Sequence, residues 1–283
     1  MSEPLRLGTR ASPLALIQAR SVAAAIAAPV ALVELRTSGD DGAPGDKRRW
    51  VDRIEEALLA GDLDLAVHSA KDLPGELAVG LEISGAPARA DPFDAICGAP
   101  SLAALAAGAR VGTGSVRRAA QLLALRDDLE VVAISGNVDT RLARIGELDG
   151  VVLARAGLAR LGRDLGAVLE ELVPAAGQGT LAIEARRGDA RVADAIAGLR
   201  DPATERALAA ERALIAALGG DCDTPIGAHA AADRDGALAL AAFVGRADGS
   251  HWIRDQLRGE DPVALGAALA QRLLSAGAAE ILR

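Results

Sequence analysis

The sequence predicts a mainly parallel α/β protein followed by a separate α+β domain. Three observations carry that reading. Short apolar and β-branched runs alternate with amphipathic stretches from Leu5 to about Gly188, the pattern of strand–helix–strand units. Thirty-one glycines interrupt an otherwise Ala- and Leu-rich chain, which argues against a long helical bundle. Past a long helical stretch that Gly219-Gly220 breaks, the pattern changes to two alternating segments and a final helix.

Taken in order, residues 5–7 read as a short strand. Ser12-Pro13 opens a helix, with Ser as cap and Pro at the first helical position. Leu14, Ile17, Val22 and Ile26 give that helix its apolar face. Residues 31–36 alternate as a strand, 51–60 form an amphipathic helix, and 63–67 a buried strand. Phe93 to Cys97 is a further strand. Val111-Gly112 ends the next, and Ser115 caps a helix carrying Arg117 and Arg118. Residues 131–134 are a strand, followed by Ser135-Gly136-Asn137 and a helix through Arg141 and Ile145. Residues 151–153 and 181–183 are strands. The tail holds a helix over 203–218, alternating segments over 237–244 and 251–257, and a helix over 262–275.

The 283 residues suffice for two or three domains. Thirty-one basic against 39 acidic residues give a net charge of −8. Nothing global would attract nucleic acid, and Trp50, Phe93, Phe243 and Trp252 are too few aromatics for a stacking platform. No apolar run reaches the ~20 residues of a spanning helix. The N-terminus has no basic start before an apolar stretch, so no signal peptide is expected. Cys97 and Cys222 make no disulfide framework and fit a reducing compartment. His68, His229 and His251 show no metal-ligand spacing with either cysteine.

In open α/β sheets ligands bind beyond the carboxyl ends of the strands, where helix N-termini favour anions. Four such ends carry hydroxyls, glycines and basic side chains: Thr9-Arg10-Ala11-Ser12, His68-Ser69-Ala70-Lys71-Asp72, Gly112 to Arg118, and Ser135-Gly136-Asn137 with Arg141 one turn on. Arg forks grip carboxylates or phosphates. Together the clusters predict a small polyanionic ligand, although each Ser or Thr alone could be a mere cap. Asp72 could stabilise a developing cation or simply cap a turn. His68 could be a packed strand residue or a catalyst, and Cys97 reads as core. Cys222 lies in a loop after a long helix, where Asp221 and Asp223 would raise a thiol pKa. Gly177-Gln178-Gly179 could be a turn or a hinge.

These residues together resemble the porphobilinogen deaminase (hydroxymethylbilane synthase) family over nearly the whole chain, in the family's order. The motifs are residues 7–15, 67–74, 112–118, 136–141, 156–162 and 177–179. The resemblance implies two α/β domains like type II periplasmic binding proteins with a cleft between them, plus a small C-terminal α+β domain. The boundaries expected are 1–87 with 177–200, 91–174, and 203–283.

The resemblance also implies the head-to-tail condensation of four porphobilinogen molecules with loss of ammonia, primed by a dipyrromethane attached as a thioether to Cys222. Asp72, Lys71 and Arg10 match catalytic positions. Ser69, Lys71, Asp72, Thr113, Ser115, Arg117, Arg118, Arg141 and Gln178 match cofactor-binding positions. Arg10, Ser12, Gln18, Arg141, Arg160, Lys47 and Trp50 match substrate-binding positions. No metal, nucleic acid or membrane is implied, and a monomer in the cytoplasm is expected. Ser135 stands where the family usually has Arg, and in the loop before Trp50 only Lys47 matches a family lysine. Two other readings of the residues alone remain: an anion-binding protein without chemistry, and a regulator, which lacks a DNA-binding module here.

Overall fold

The computed structural model describes residues 3–43, 46–220, 224–233 and 235–282. The chain runs β1 (Leu5–Arg10), α1 (Pro13–Ala25), β2 (Val30–Leu35), α2 (Asp52–Ala60), β3 (Leu65–Ser69), β4 (Leu81–Gly85) and β5 (Asp94–Cys97). Next come β6 (Arg110–Thr113), α3 (Val116–Leu125), β7 (Glu130–Ala133), α4 (Val138–Leu142), β8 (Gly150–Ala154), α5 (Arg155–Arg160) and β9 (Ala167–Leu169). Then follow β10 (Leu181–Arg186), α6 (Ala190–Ile196), α7 (Pro202–Leu218), β11 (Ile226–Ala232), β12 (Leu238–Gly245), β13 (Trp252–Gly259), α8 (Pro262–Ser275) and α9 (Ala278–Ile281).

The chain divides into two compact units, one of residues 1–90 with 180–206 and one of 91–179 with 207–283. The first holds a five-stranded sheet of order β2-β1-β3-β10-β4. β1 pairs in parallel with β2 and β3, while β10 lies antiparallel between β3 and β4. Four strands therefore run one way and one the other. Leu7, Leu65, Val67 and Ile183 bury one face against α1 and α6, and Ala66 joins Ile54 and Leu58 of α2 on the other.

The second unit repeats the plan with order β7-β6-β8-β5-β9, β5 being the reversed strand. Both sheets thus share one plan, four strands running one way and the fourth in spatial order reversed. The same unit carries the antiparallel sheet β11-β12-β13. Alternate residues Leu238, Leu240 and Ala242 bury against Leu265, Leu269 and Leu273 of α8, the two-residue period of a strand meeting the 3.6-residue period of a helix.

Several boundaries differ from the sequence reading. β3 starts at Leu65, not Leu63, because Leu63 N–H still bonds the Ala57 carbonyl at the end of α2 and Asp64 N–H bonds the Arg6 carbonyl. The helix carrying Arg141 stops at Leu142, before Ile145, and Gly146 turns the chain at φ 99°. β4, β9 and β11 give little sequence signal. β9 has only three residues, and β11 is a run of small residues without clear polar alternation.

Candidate active site

In the first unit the strand ends deliver the predicted side chains to one pocket. Thr9-Arg10 finishes β1, and Ser12 turns the chain into α1 by accepting the Ala15 N–H at 3.3 Å. Gln18, about one and a half turns up α1 and 3% exposed, pairs its amide with the Ser69 hydroxyl at the end of β3, at 2.9 and 3.3 Å. A short 3-10 turn over Ala70–Asp72 then presents Asp72. Arg10, Ser12, Gln18, Trp50, His68, Ser69 and Asp72 all line a cavity of about 70 Å³. The half-buried Asp72 carboxylate accepts no hydrogen bond from the described residues. Lys71 sits beside it in the same turn, and Lys47 opens the 3-10 turn that ends at Trp50.

Arg10 is already engaged. Asp40 takes its Nη2 and, at 3.2 Å, its Nε. The guanidinium lies 4.4 Å from the centre of the Trp50 ring, a cation–π contact. Thr37 donates its backbone N–H and hydroxyl to the same carboxylate, at 3.1 and 3.0 Å. Burial alone would raise the Asp40 pKa, but the Arg10 and Thr37 donors outweigh it and hold the carboxyl below its ordinary range. Sequence reading missed Asp40. Nothing in its loop distinguishes it from Asp41, and only folding brings it to Arg10.

In the second unit Arg117 and Arg118 open α3 and are each 4% exposed. Both converge on Asp94, which is fully buried. Arg117 Nη2 lies 2.8 Å from its Oδ2, Arg118 Nη2 2.8 Å and Nε 2.9 Å from its Oδ1, and Gln178 Nε2 donates to Oδ1 at 2.8 Å. Burial pushes this carboxyl up, and the two guanidiniums overcome that and hold it far below the usual range. Among the described residues the cluster keeps one positive charge in excess, and Arg117 Nε is buried without a hydrogen-bond partner. Gln178 is fixed because Gly177 and Gly179, at φ 73° and 88°, supply left-handed turns on both sides of it.

Around this cluster, Thr113 at the end of β6 accepts the Ser115 N–H through its hydroxyl at 3.2 Å. Arg141 Nε donates to the Gly136 carbonyl at 2.8 Å. Arg160 Nη2 donates to the Gly179 carbonyl at 2.7 Å, and burial pushes its guanidinium pKa down. Asp94 is a second acid, after Asp40, that sequence reading left without a partner and the structure places against the predicted arginines. An acid inside the apolar stretch Phe93–Cys97 was the available signal. Cys222 lies outside the described residues.

The carboxylates of a dipyrromethane would suit this chemistry. Two buried arginines share one acid, an orphaned guanidinium N–H remains, and Arg160 has no acidic partner among the described residues. Buried cations in excess of anions are costly until an anion meets them.

Comparison with known proteins agrees. Residues 5–194 match the family model described as "Porphobilinogen deaminase, dipyromethane cofactor binding domain", and residues 206–275 match "Porphobilinogen deaminase, C-terminal domain". The porphobilinogen deaminase of Rubrobacter xylanophilus is 48% identical, over 100% of this chain and 97% of its own. That of a Roseiflexus species (strain RS-1) is 47% identical over 100% and 99%, and that of Thermus thermophilus 44% over 98% and 97%. With both family domains matched and relatives nearly half identical over the whole chain, the chain belongs to the porphobilinogen deaminase family, the hydroxymethylbilane synthases of tetrapyrrole biosynthesis.

Proposed function

We propose that Asp72 is the acid at which porphobilinogen ionises. The enzyme joins four porphobilinogens head to tail, each losing ammonia, into linear hydroxymethylbilane. When the amino group of the aminomethyl arm departs as ammonia, the C–N bond breaks and positive charge spreads over the pyrrole and the methylene carbon that stays on it. A carboxylate held in a pocket poor in water stabilises that charge far more than bulk solvent would. The observation that carries this reading is the Asp72 carboxylate, unbonded among the described residues, facing the same cavity as Arg10, Ser12 and Trp50.

In this reading Arg10 grips a substrate carboxylate through Nη1, the one guanidinium nitrogen that Asp40 leaves without a described partner. Ser12, Gln18 and Ser69 supply hydroxyl and amide partners, Trp50 walls the ring, and Lys47 and Lys71 add positive charge. Arg117, Arg118, Arg141, Arg160, Thr113, Ser115 and Gln178 hold the carboxylates of the dipyrromethane and the lengthening chain. When bound through Cys222, the dipyrromethane supplies a free pyrrole α-carbon as the first nucleophile. Ser135 removes one arginine that family members usually place beside Gly136, so Arg141 and Arg160 carry a larger share of the carboxylate binding. We read the three sheets as three domains and the protein as a cytoplasmic monomer, supported by the family resemblance and, for the compartment, by the buried free thiol of Cys97.

The test is the intact mass of the purified protein with peptide mapping around Cys222. An added mass equal to two linked pyrrole units on Cys222 is expected, either as purified or after incubation with porphobilinogen. A chain that stays unmodified after that incubation would remove the reading.

A further inference from the structure

We propose that His68, backed by Glu184 and Glu55, is a proton acceptor that takes up the proton expelled at each pyrrole condensation. The proposal rests on the condensation reading above and adds residues to it. β3 and β10 pair with Ala182 opposite His68 and Glu184 opposite Ala66. His68 and Glu184 are therefore diagonal neighbours on one face of the sheet. His68 Nε2 stands 3.0 Å from Glu184 Oε2, with the two side chains 4% and 0% exposed. Glu55 comes from α2, which covers that face, and its Oε1 accepts the Ala78 N–H at 3.3 Å. Burial, and then the nearness of Glu184, push the Glu55 carboxyl above its ordinary range against the Ala78 hydrogen bond and His68.

The imidazole thus has a carboxylate beside it where solvent screens little, so positive charge arriving on His68 meets a counter-charge already in place. An apolar trio would fill the same space at less cost. The cluster is also not sealed from the chemistry: His68 lines the same cavity as Asp72 and Arg10. The charged groups around it are Glu184 on β10, Glu55 on α2, Arg48 in the turn before α2, and Arg10 and Asp72 on the pocket wall.

The step balances as follows. The methylene carbon of the substrate cation bonds the α-carbon of the terminal pyrrole. The C–H bond at that α-carbon breaks, its electron pair restores the ring, and the proton passes to His68, whose imidazolium is stabilised by Glu184. The ammonia expelled in the same cycle then carries the proton off as ammonium.

The test uses holoprotein carrying His68→Gln or Glu184→Gln. His68→Gln is expected to lower kcat about 100-fold with KM within about threefold. Glu184→Gln, by removing the counter-charge of the imidazolium, should move the acid limb of the kcat–pH profile about one unit or more toward lower pH. The same displacement should appear, without substrate, in the ¹⁵N titration of His68, which His68→Gln assigns among only three histidines. Turnover of His68→Gln within threefold of wild type, or an acid limb that stays put while the imidazole titration shifts, overturns the proposal. If Glu184→Gln does not fold, the wild-type protein decides: the His68 titration must coincide with the acid limb of kcat, and a mismatch beyond about one unit overturns it. A wild-type holoprotein that makes no tetrapyrrole overturns both the reaction and the relay, whereas an active wild type with indifferent variants overturns the relay alone.

Discussion

Acidic side chains near the pocket do different work according to what touches them. Asp40 is spent on Arg10 and Thr37, and Asp52 on Ser38. Asp72 has no such partner among the described residues, which leaves its charge for the substrate. Replacing Asp72 with Ala should therefore leave the thermal transition almost unchanged while lowering kcat by about 10²–10³-fold, ~3–4 kcal/mol of lost transition-state stabilisation. Turnover within tenfold of wild type would remove Asp72 from its role. At this scale the sequence was informative about residue type and order. Arg10, Ser12, Ser69 and Asp72 were named from motifs and meet at one cavity. The sequence was silent about pairing. Asp40 is 30 residues from Arg10 and Asp94 is 24 from Arg118, and no local pattern encodes contacts that only the sheets create.

Helices and strands here are decided by their ends and their tightest contacts. Ser12, Ser115, Asn137, Asp189 and Asp261 each cap a helix through the side chain, as their residue types suggest. The cap positions were legible at Ser12 and Ser115, where Ser stood before an apolar period. The end of α4 was not, because the helix stops at a turn around Gly146 and not where the periodicity fades. Gly266 in α8 shows packing overriding propensity. A Cβ there would lie 2.5 Å from the Ala210 carbonyl and 2.7 Å from Ala213 Cβ, both on α7. Gly266→Ala would gain about 1 kcal/mol of helix propensity, but pressing on backbone costs about 1–3 kcal/mol and cannot be relieved by a rotamer. Gly266→Val should destabilise by more, and a lowered Tm for both variants, larger for Val, is the expected result.

For the whole molecule, the buried Asp94 cluster makes stability pH-dependent in a definite direction. The Asp94 carboxyl is held below its unfolded value. Its contribution is therefore present above the ordinary carboxylate range and is lost as pH falls toward the depressed folded value. Glu55, whose carboxyl is raised, acts the opposite way: it favours the folded state at low pH and less so as pH rises. Asp94 belongs to the second unit and Glu55 to the first. Each unit also carries one tryptophan, Trp50 in the first and Trp252 in the second. In a Trp50→Phe protein, Trp252 fluorescence should report urea unfolding that weakens steadily between about pH 5 and pH 3. Adding Asp94→Asn should flatten that decline and cost about 3–5 kcal/mol at neutral pH, since two buried arginines lose their acid. An unchanged acid decline would show that other carboxylates set it.

The sequence by itself determined the alternation of elements, the α+β tail, the family and the chemical character of the strand ends, because periodicity, capping and motif spacing are local properties of the chain. Only the tertiary structure decided which strand is reversed in each sheet, which acid neutralises which arginine, and that His68 meets Glu184 behind the pocket. These depend on β5 and β10 being inserted between strands distant in sequence, and the register of such non-local pairs is fixed by packing across the whole sheet and not by any short stretch of residues.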